Sequence, residues 1–157
     1  LRAGFGCTVL ANDITDFSGF YAEHGMQSAD LETLLAHSDV VTLHLPLDPS
    51  TENILSAERL ALMKPGAVLI NTARGGLVDE AALKTLLEQG RLGGAAFDVF
   101  AVEPPQDQAL MKLANFLVTP HIGGSAEEAI VAMGLAAIEG LDRHQLPAPG
   151  AFPPGRW

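Results

Sequence analysis

Three charged or titratable side chains each follow an apolar segment of the chain. Arg74 and Glu103 come a few residues after the segments AVLI and AAFDVF, and His121 comes directly after FLVTP. A guanidinium binds a carboxylate through two parallel hydrogen bonds, and a histidine ring transfers protons near neutral pH. A glutamate beside that ring would orient it and favour its protonated form. Together the three residue types suit a small carboxylic acid with an adjacent carbonyl or hydroxyl group.

Asp13 is a candidate for a different task, because it follows the apolar segment TVLA at residues 8–11. A carboxylate at the carboxyl end of a strand accepts hydrogen bonds from the diol of a nucleotide ribose. The same negative charge repels a 2′-phosphate. Asp13 therefore favours NAD over NADP as a dinucleotide. The alternative is that Asp13 only ends the strand and caps the next turn of the chain.

The elements that must position these residues are short apolar strands that alternate with helical segments. Strands are predicted at residues 8–11, 40–45, 67–70, 95–100 and 116–119. Because these runs are almost continuously apolar, we expect both faces of the strands to be covered, as in a parallel sheet.

Helices are predicted between and after the strands from their capping residues. Asp30, Ser56 and Asp79 each precede an apolar helical stripe. Ser125 with Glu128 is a capping box for a long helix that runs to about residue 141. Strands and helices that alternate through short links form right-handed crossovers, so the fold class is α/β with a parallel sheet.

A parallel sheet brings the carboxyl ends of its strands to one edge, where ligands bind. We therefore expect Arg74, Glu103 and His121 to lie at the same edge. Each has an ordinary alternative role: an arginine paired with a surface acid, a solvated turn glutamate and a loop histidine bonded to backbone. Asp98 is predicted inside the fourth strand, and its alternative role is structural hydrogen bonding.

Composition narrows the classes of protein and partner. The 157 residues are 48% hydrophobic and carry a net charge of −10, which excludes a disordered chain and disfavours nucleic acid or an anionic membrane as partner. No apolar run approaches the ~18 residues that a membrane span needs. Cys7, the one cysteine, cannot form an internal disulfide and is expected to be an apolar filler. His44 is expected in the core, and the protein is expected to be cytoplasmic.

Three longer motifs resemble one enzyme family. They are PGAVLINTARGGLVDEAAL at residues 65–83, GGAAFDVFAVEPP at 93–105 and VTPHIGGS at 118–125. These motifs resemble those of the D-isomer-specific 2-hydroxyacid dehydrogenases. The resemblance implies an NAD-binding, Rossmann-like domain over residues 1–143, with helices flanking a parallel sheet. It also implies hydride transfer between a small D-2-hydroxy acid and its 2-keto acid.

The resemblance further implies a role for each site residue. Arg74 would hold the substrate carboxylate, His121 would be the general acid/base, and Glu103 would pair with His121. Asp13 would contact the adenosine ribose. The adenine side would be lined by Leu45, Pro46 and Thr51, and the nicotinamide side by Thr72, Ala73, Arg74, Asp98, His121, Gly123 and Gly124. In this family the domain also supplies a homodimer contact.

The chain departs from the family pattern at its N-terminus. A Rossmann half carries its glycine-rich phosphate turn about 20 residues before the ribose acid, and counting back from Asp13 passes Leu1. We therefore expect a sheet that is incomplete at its N-terminus, in a fragment whose start lies upstream. Residues 144–157 are rich in proline and glycine and are predicted to form a tail. An alternative function is a truncated, non-catalytic dimerisation or interaction module.

Overall fold

The computed structural model describes residues 2–143 and divides into two compact units at the boundary between His121 and Ile122. The predicted tail at 144–157 lies outside the described residues. The first unit contains α1 (Arg2–Phe5), β1 (Leu10–Ala11), α2 (Ser18–His24), β2 (Gln27–Ser28), α3 (Leu31–His37), β3 (Val40–Leu43), α4 (Ala57–Leu62), β4 (Val68–Asn71), α5 (Glu80–Glu88), β5 (Gly94–Phe97), α6 (Gln108–Met111) and β6 (Phe116–Val118). The second unit contains α7 (Glu127–Asp142).

The described strands form two parallel sheets. The larger is four-stranded in the order β3-β4-β5-β6, so each strand pairs with the next along the chain. The smaller pairs β1 with β2, with Leu10 opposite Gln27 and Ala11 opposite Ser28. The predicted α/β class with a parallel sheet is confirmed. β2, α2 and α6 were not predicted: β2 and α6 have two and four residues, too few to show a clear periodicity, and α2 has no side-chain N-cap bond.

A buried apolar cluster joins the four-stranded sheet to the helices beside it. Leu69 of β4 is fully buried, and so are Leu35 of α3 and Leu83 of α5. The edge strands are less well covered than predicted, because Val40 of β3 is 55% exposed and Leu117 of β6 is 66% exposed. The expectation that both faces of every strand are covered is therefore wrong for β3 and β6, the two edges of the sheet.

Three of the predicted helix caps are confirmed. The side chains of Asp30, Ser56 and Asp79 accept hydrogen bonds from backbone N–H groups three residues further on. The capping box at Ser125 is wrong, because α7 begins two residues later and no side chain caps it. The N–H of Ser125 instead donates to the carbonyl of Ile122, which places Ser125 in the turn before the helix.

Two expectations about the core are also wrong. His44 follows β3 rather than lying inside a strand, and it is exposed, with its Nε2 3.1 Å from the hydroxyl of Thr42. Cys7 is exposed between α1 and β1. His44 lies one residue past β3, whose Leu43 is buried, whereas Cys7 lies in a stretch where Phe5 and Gly6 are exposed as well.

Candidate active site

The centre of the candidate site is a direct contact between His121 and Glu103. Nδ1 of His121 lies 2.8 Å from Oε2 of Glu103, and the two side chains are 51% and 37% exposed. The other carboxylate oxygen, Oε1, accepts the backbone N–H of Phe100 at 3.0 Å. The hydrogen bond from His121, followed by that from Phe100, lowers the pKa of the Glu103 carboxyl below its usual range. The pair can therefore hold an ionised carboxylate against a histidine ring.

The backbone of His121 adopts a left-handed conformation with φ of 53°. This region is uncommon for residues other than glycine and costs of order 1–3 kcal/mol, which surrounding structure must offset. Nδ1 is engaged with Glu103, so Nε2 is the ring nitrogen through which a ligand would exchange a proton. The strain is consistent with a histidine held in one orientation.

A cavity of about 490 Å³ opens beside this pair. Its lining is mainly apolar and consists of Asp98, Phe100, Glu103, Pro104, Pro105, Met111, Val118, Thr119, Pro120 and His121. Apolar walls lower the local dielectric constant and strengthen the interaction of charged groups with a ligand. The acid–base pair thus sits at the rim of a pocket rather than on a flat surface.

Asp98 ties the ends of three strands together. It follows β5 directly, which corrects the prediction that it lies inside the strand. Its Oδ1 accepts the hydroxyl of Thr119 at 2.5 Å, and its N–H donates to the carbonyl of Asn71 at 3.0 Å. Only 5% of Asp98 is exposed. These bonds support the structural role, and its predicted contact with the cofactor stays a prediction.

Arg74 lies in the loop after β4, which the buried side chain of Asn71 shapes. Nδ2 of Asn71 donates to the carbonyl of Arg74 at 2.9 Å, and Oδ1 accepts the N–H of Ala73 at 3.1 Å. The side chain of Arg74 is exposed, and its Nη1 donates to the carbonyl of Ala73 at 2.7 Å. Asn71 had no predicted role. The signal for it was an amide at the end of an apolar strand.

Gly75 brings the Arg74 loop against the loop that carries Glu103. A Cβ atom at Gly75 would lie 1.8 Å from the carbonyl oxygen of Phe100 and 2.5 Å from the nitrogen of Ala101. No side chain fits in that space, so the backbones meet directly. The structure therefore joins Glu103 to His121 by a hydrogen bond, and joins the loops of Arg74 and Glu103 by close packing.

Replacing Gly75 with alanine is expected to separate these two loops. The added methyl group overlaps backbone atoms that cannot rotate away, so we expect a loss of about 1–3 kcal/mol in the free energy of unfolding. Urea unfolding measures that loss. Gly134→Ala is the matched control, since a Cβ there meets open space and alanine is the better helix former. Equal stabilities for the Gly75 variant and the wild type would contradict the packing described.

The lowered pKa of Glu103 makes the pair sensitive to acid. An unfolded chain titrates this carboxyl near its ordinary value of 4.5, and the folded protein titrates it lower. The pair therefore contributes fully to the free energy of unfolding when the pH is above the ordinary pKa. That contribution is lost as the pH falls through the pKa of the folded protein. As the pH is lowered below 4.5, we expect the free energy of unfolding in urea to fall more steeply for the wild type than for Glu103→Gln. Parallel pH profiles would contradict this.

The residues predicted for the adenine side meet in one loop. The hydroxyl of Thr51 donates to the carbonyl of Pro46 at 2.7 Å and accepts the N–H of Asp48 at 2.9 Å. Leu45 is half-buried beside them and packs on the core cluster. Thr51 therefore fixes the course of the loop through Pro46. Contact of these residues with adenine stays a prediction.

The other predicted cofactor residues lie in different parts of the chain. Asp13 follows β1 in the two-stranded sheet, is exposed, and accepts the N–H of Thr15 at 2.8 Å through Oδ1. The bond from Thr15 is the turn-capping role given above as the alternative for Asp13, and contact of its carboxylate with a ribose diol stays a prediction. Thr72 is exposed in the Arg74 loop. Gly123 and Gly124 belong to the second compact unit, and their role stays a prediction.

Metal-binding clusters and membrane-spanning helices are both absent from the described part of the chain. Among residues 2–143, no group of three histidine, cysteine or acidic side chains is arranged to hold a metal ion. Within the same range, no helix combines the length and the apolar character needed to cross a bilayer.

Comparison with known proteins finds relatives that are similar in sequence and in structure. Glycerate dehydrogenase of Methylorubrum extorquens is 46% identical over 140 residues, which are 87% of this chain and 42% of that protein. The apo crystal structure of Rhodotorula graminis D-mandelate dehydrogenase superposes with a TM-score of 0.84 at 30% identity, over 90% of this chain and 42% of that one. The NAD-complexed D-2-hydroxyacid dehydrogenase of Lactobacillus delbrueckii ssp. bulgaricus superposes with a TM-score of 0.76 at 32% identity, over 93% of this chain and 49% of that one.

The chain thus spans less than half the length of these relatives. The family model for the NAD-binding domain of D-isomer specific 2-hydroxyacid dehydrogenases matches residues 1–123. That range contains Arg74, Glu103 and His121. It also contains the four-stranded parallel sheet, which is Rossmann-like. The chain therefore belongs to the D-isomer specific 2-hydroxyacid dehydrogenase family and represents its NAD-binding domain.

Proposed function

We propose that the protein is an NAD-dependent oxidoreductase that interconverts a small D-2-hydroxy acid and its 2-keto acid, with this chain as the cofactor-binding part. The observation that carries the proposal is the 2.8 Å contact of His121 with Glu103, next to the loop of Arg74. A paired imidazole supplies a proton-transfer group, and the guanidinium supplies a site for a carboxylate. Membership of the family supports the same chemistry.

Each of the three residues has a distinct task in this reaction. Arg74 binds the carboxylate of the substrate and orients its C2 oxygen. His121 donates a proton to that oxygen when the keto acid is reduced, and accepts it when the hydroxy acid is oxidised. Glu103 fixes the orientation of that ring through its contact with Nδ1. Bound NAD supplies the hydride acceptor or donor.

The remaining site residues hold the dinucleotide. Asp13 accepts hydrogen bonds from the ribose diol and disfavours a 2′-phosphate, so the cofactor is NAD rather than NADP. Leu45, Pro46 and Thr51 lie against adenine. The nicotinamide end lies along Thr72, Ala73, Arg74, Asp98 and His121. The protein would act in the cytoplasm as a homodimer.

A second candidate function is a non-catalytic association module. The observation that favours it is the apolar exposure of α7, where Met133 is 58% exposed, Ile138 is 59% exposed and Leu141 is 71% exposed. Burying such side chains is the usual driving force of association. This function would need no bound dinucleotide.

Binding and turnover measurements distinguish the two functions. The longest product of the gene that encodes this sequence is titrated with NADH by fluorescence, and a Kd below about 1 mM is expected, in the usual range for enzyme ligands. The same protein is then assayed for NADH oxidation with hydroxypyruvate and glyoxylate. Turnover supports the oxidoreductase. Neither binding nor turnover, together with a dimer in sedimentation, would support the association module.

A further inference from the structure

Glu80 has no role in the chemistry above, yet its carboxylate reaches the loop that carries Glu103. It is the first residue of α5, and its Oε1 accepts the backbone N–H of Ala101 at 2.8 Å. Ala101 is itself exposed, whereas Glu80 is half-buried. Without Glu80, water would be the partner of that N–H, and water imposes no fixed position on a loop.

The helix that carries Glu80 is firmly held. The side chain of Asp79 caps it by accepting the N–H of Ala82 at 2.9 Å. Leu83 and Leu87 are 0% and 3% exposed and anchor the helix in the core cluster. The start of this helix is therefore held in place, and the hydrogen bond between Glu80 and Ala101 restrains Ala101 relative to it.

The opposite end of the same short segment reaches the acid–base pair. Phe100 precedes Ala101, and its N–H donates to Oε1 of Glu103 at 3.0 Å. The ring of Phe100 is buried, with its centroid 6.2 Å from that of Phe116 in an edge-on arrangement. Two successive backbone N–H groups are thus bound by two carboxylates, one from α5 and one from Glu103 itself. A shift of Ala101 would move the donor that orients Glu103.

We propose that Glu80 is a positioning residue, which holds the 100–103 loop so that the carboxylate of Glu103 faces the ring of His121. The hydrogen bonds of Glu80 and Glu103 do not depend on which reaction the protein catalyses. The effect of Glu80 on catalysis rests on the proposed function. Glu80 touches neither His121 nor a reacting atom in this arrangement; it acts through Ala101 and Phe100. Its carboxylate is suited to the task because charge-assisted hydrogen bonds to backbone N–H groups are stronger than neutral ones.

NMR titration of this chain tests the positioning role directly. In Glu80→Ala we expect the pKa of the Glu103 carboxyl to rise towards its ordinary value, because the bonds from His121 and Phe100 that lower it become intermittent. The charge of Asp98, which acts in the raising direction, is unchanged. The ¹⁵N shift of Nδ1 of His121 should change with it. An unaltered Glu103 titration in Glu80→Ala would overturn the inference.

Conservative variants separate positioning from a simple loss of stability. Glu80→Gln keeps an acceptor oxygen for Ala101 and is expected to restore the Glu103 titration. Glu80→Asp keeps the charge at the helix start but is one methylene shorter, so it should behave like the alanine variant while remaining folded. Glu88→Ala, at the exposed end of the same helix, is the matched control and should titrate as the wild type. Failure of the glutamine rescue would overturn the role of the hydrogen bond.

An activity measurement on the longest gene product tests whether Glu80 affects catalysis. Glu80→Ala is expected to lower kcat by about 10- to 100-fold, as misplaced catalytic groups do, with the KM for the keto acid nearly unchanged. A raised KM with unaltered kcat would overturn the link to the acid–base pair. Absence of turnover in the wild type would overturn the proposed function instead, while the NMR titration would still decide the role of Glu80.

Discussion

Replacing His121 with asparagine is expected to lower kcat by about 10²–10⁴-fold, the range that a positioned acid/base provides. Asparagine tolerates the left-handed backbone found at this position, so the loop should keep its course. It cannot deliver a proton to the C2 oxygen of the keto acid. NADH binding should be retained, because most of the residues proposed to contact the dinucleotide lie elsewhere in the chain. Steady-state turnover of the longest gene product, with NADH titration alongside, measures both effects.

Matched variants show whether the effect belongs to the ring of His121. His37→Asn makes the same change at an exposed histidine on α3, whose Nδ1 lies against the carbonyl of Thr33, and turnover should be unaltered. Glu103→Gln leaves the proton donor in place but weakens the contact that orients its ring, so a smaller loss of about 10-fold is expected. Wild-type turnover in His121→Asn would refute the assignment of the acid/base.

The sequence was most informative where local rules act alone. Asp30 and Asp79 are recognisable as helix caps because a carboxylate accepts an N–H only three residues away. The placement of Glu103 and His121 at one edge of the sheet was also predictable, whereas their pairing was implied by the family resemblance. Parallel strands must end at one edge, which limits how far apart their following residues can lie. Strand ends differed from prediction by one to three residues in cases such as β3 and β5, since apolar character continues past the last ladder bond.

Contacts between loops distant in sequence were not predictable. The closeness of Gly75 to Phe100 depends on how two connections after β4 and β5 cross, which no local pattern records. The bond from Ala101 to Glu80 joins residues 21 apart and looks, in the sequence, like an ordinary acidic first turn. At Ser125, by contrast, a local pattern was present but the structure that it predicts did not form. It has the residue types of a capping box, but its backbone is engaged in a turn with Ile122, so the helix starts later.

Replacing Arg74 with alanine is expected to weaken catalysis through substrate binding. Removing one partner of a charge-assisted pair costs about 2–4 kcal/mol, which corresponds to a fall of about 30- to 1,000-fold in kcat/KM. Most of the loss should appear in the KM for the keto acid, because the carboxylate is bound in both ground and transition states. Cofactor affinity should change little. Arg74→Lys keeps the charge but loses the planar fork, so it should recover only part of the affinity.

The loop of Arg74 makes this expectation specific. Asn71 holds the backbone on both sides of the residue, so truncating the exposed side chain leaves the loop in place and removes only the guanidinium. Arg143→Ala provides the control, since that arginine is exposed and follows the end of α7, 3.8 Å from Glu139. A carboxylate-free substrate analogue, in which an amide replaces the acid, should react equally poorly with the wild type and with Arg74→Ala. If the amide analogue instead loses as much activity as the acid on truncation of Arg74, the guanidinium acts on something other than the carboxylate, and its assigned role is wrong.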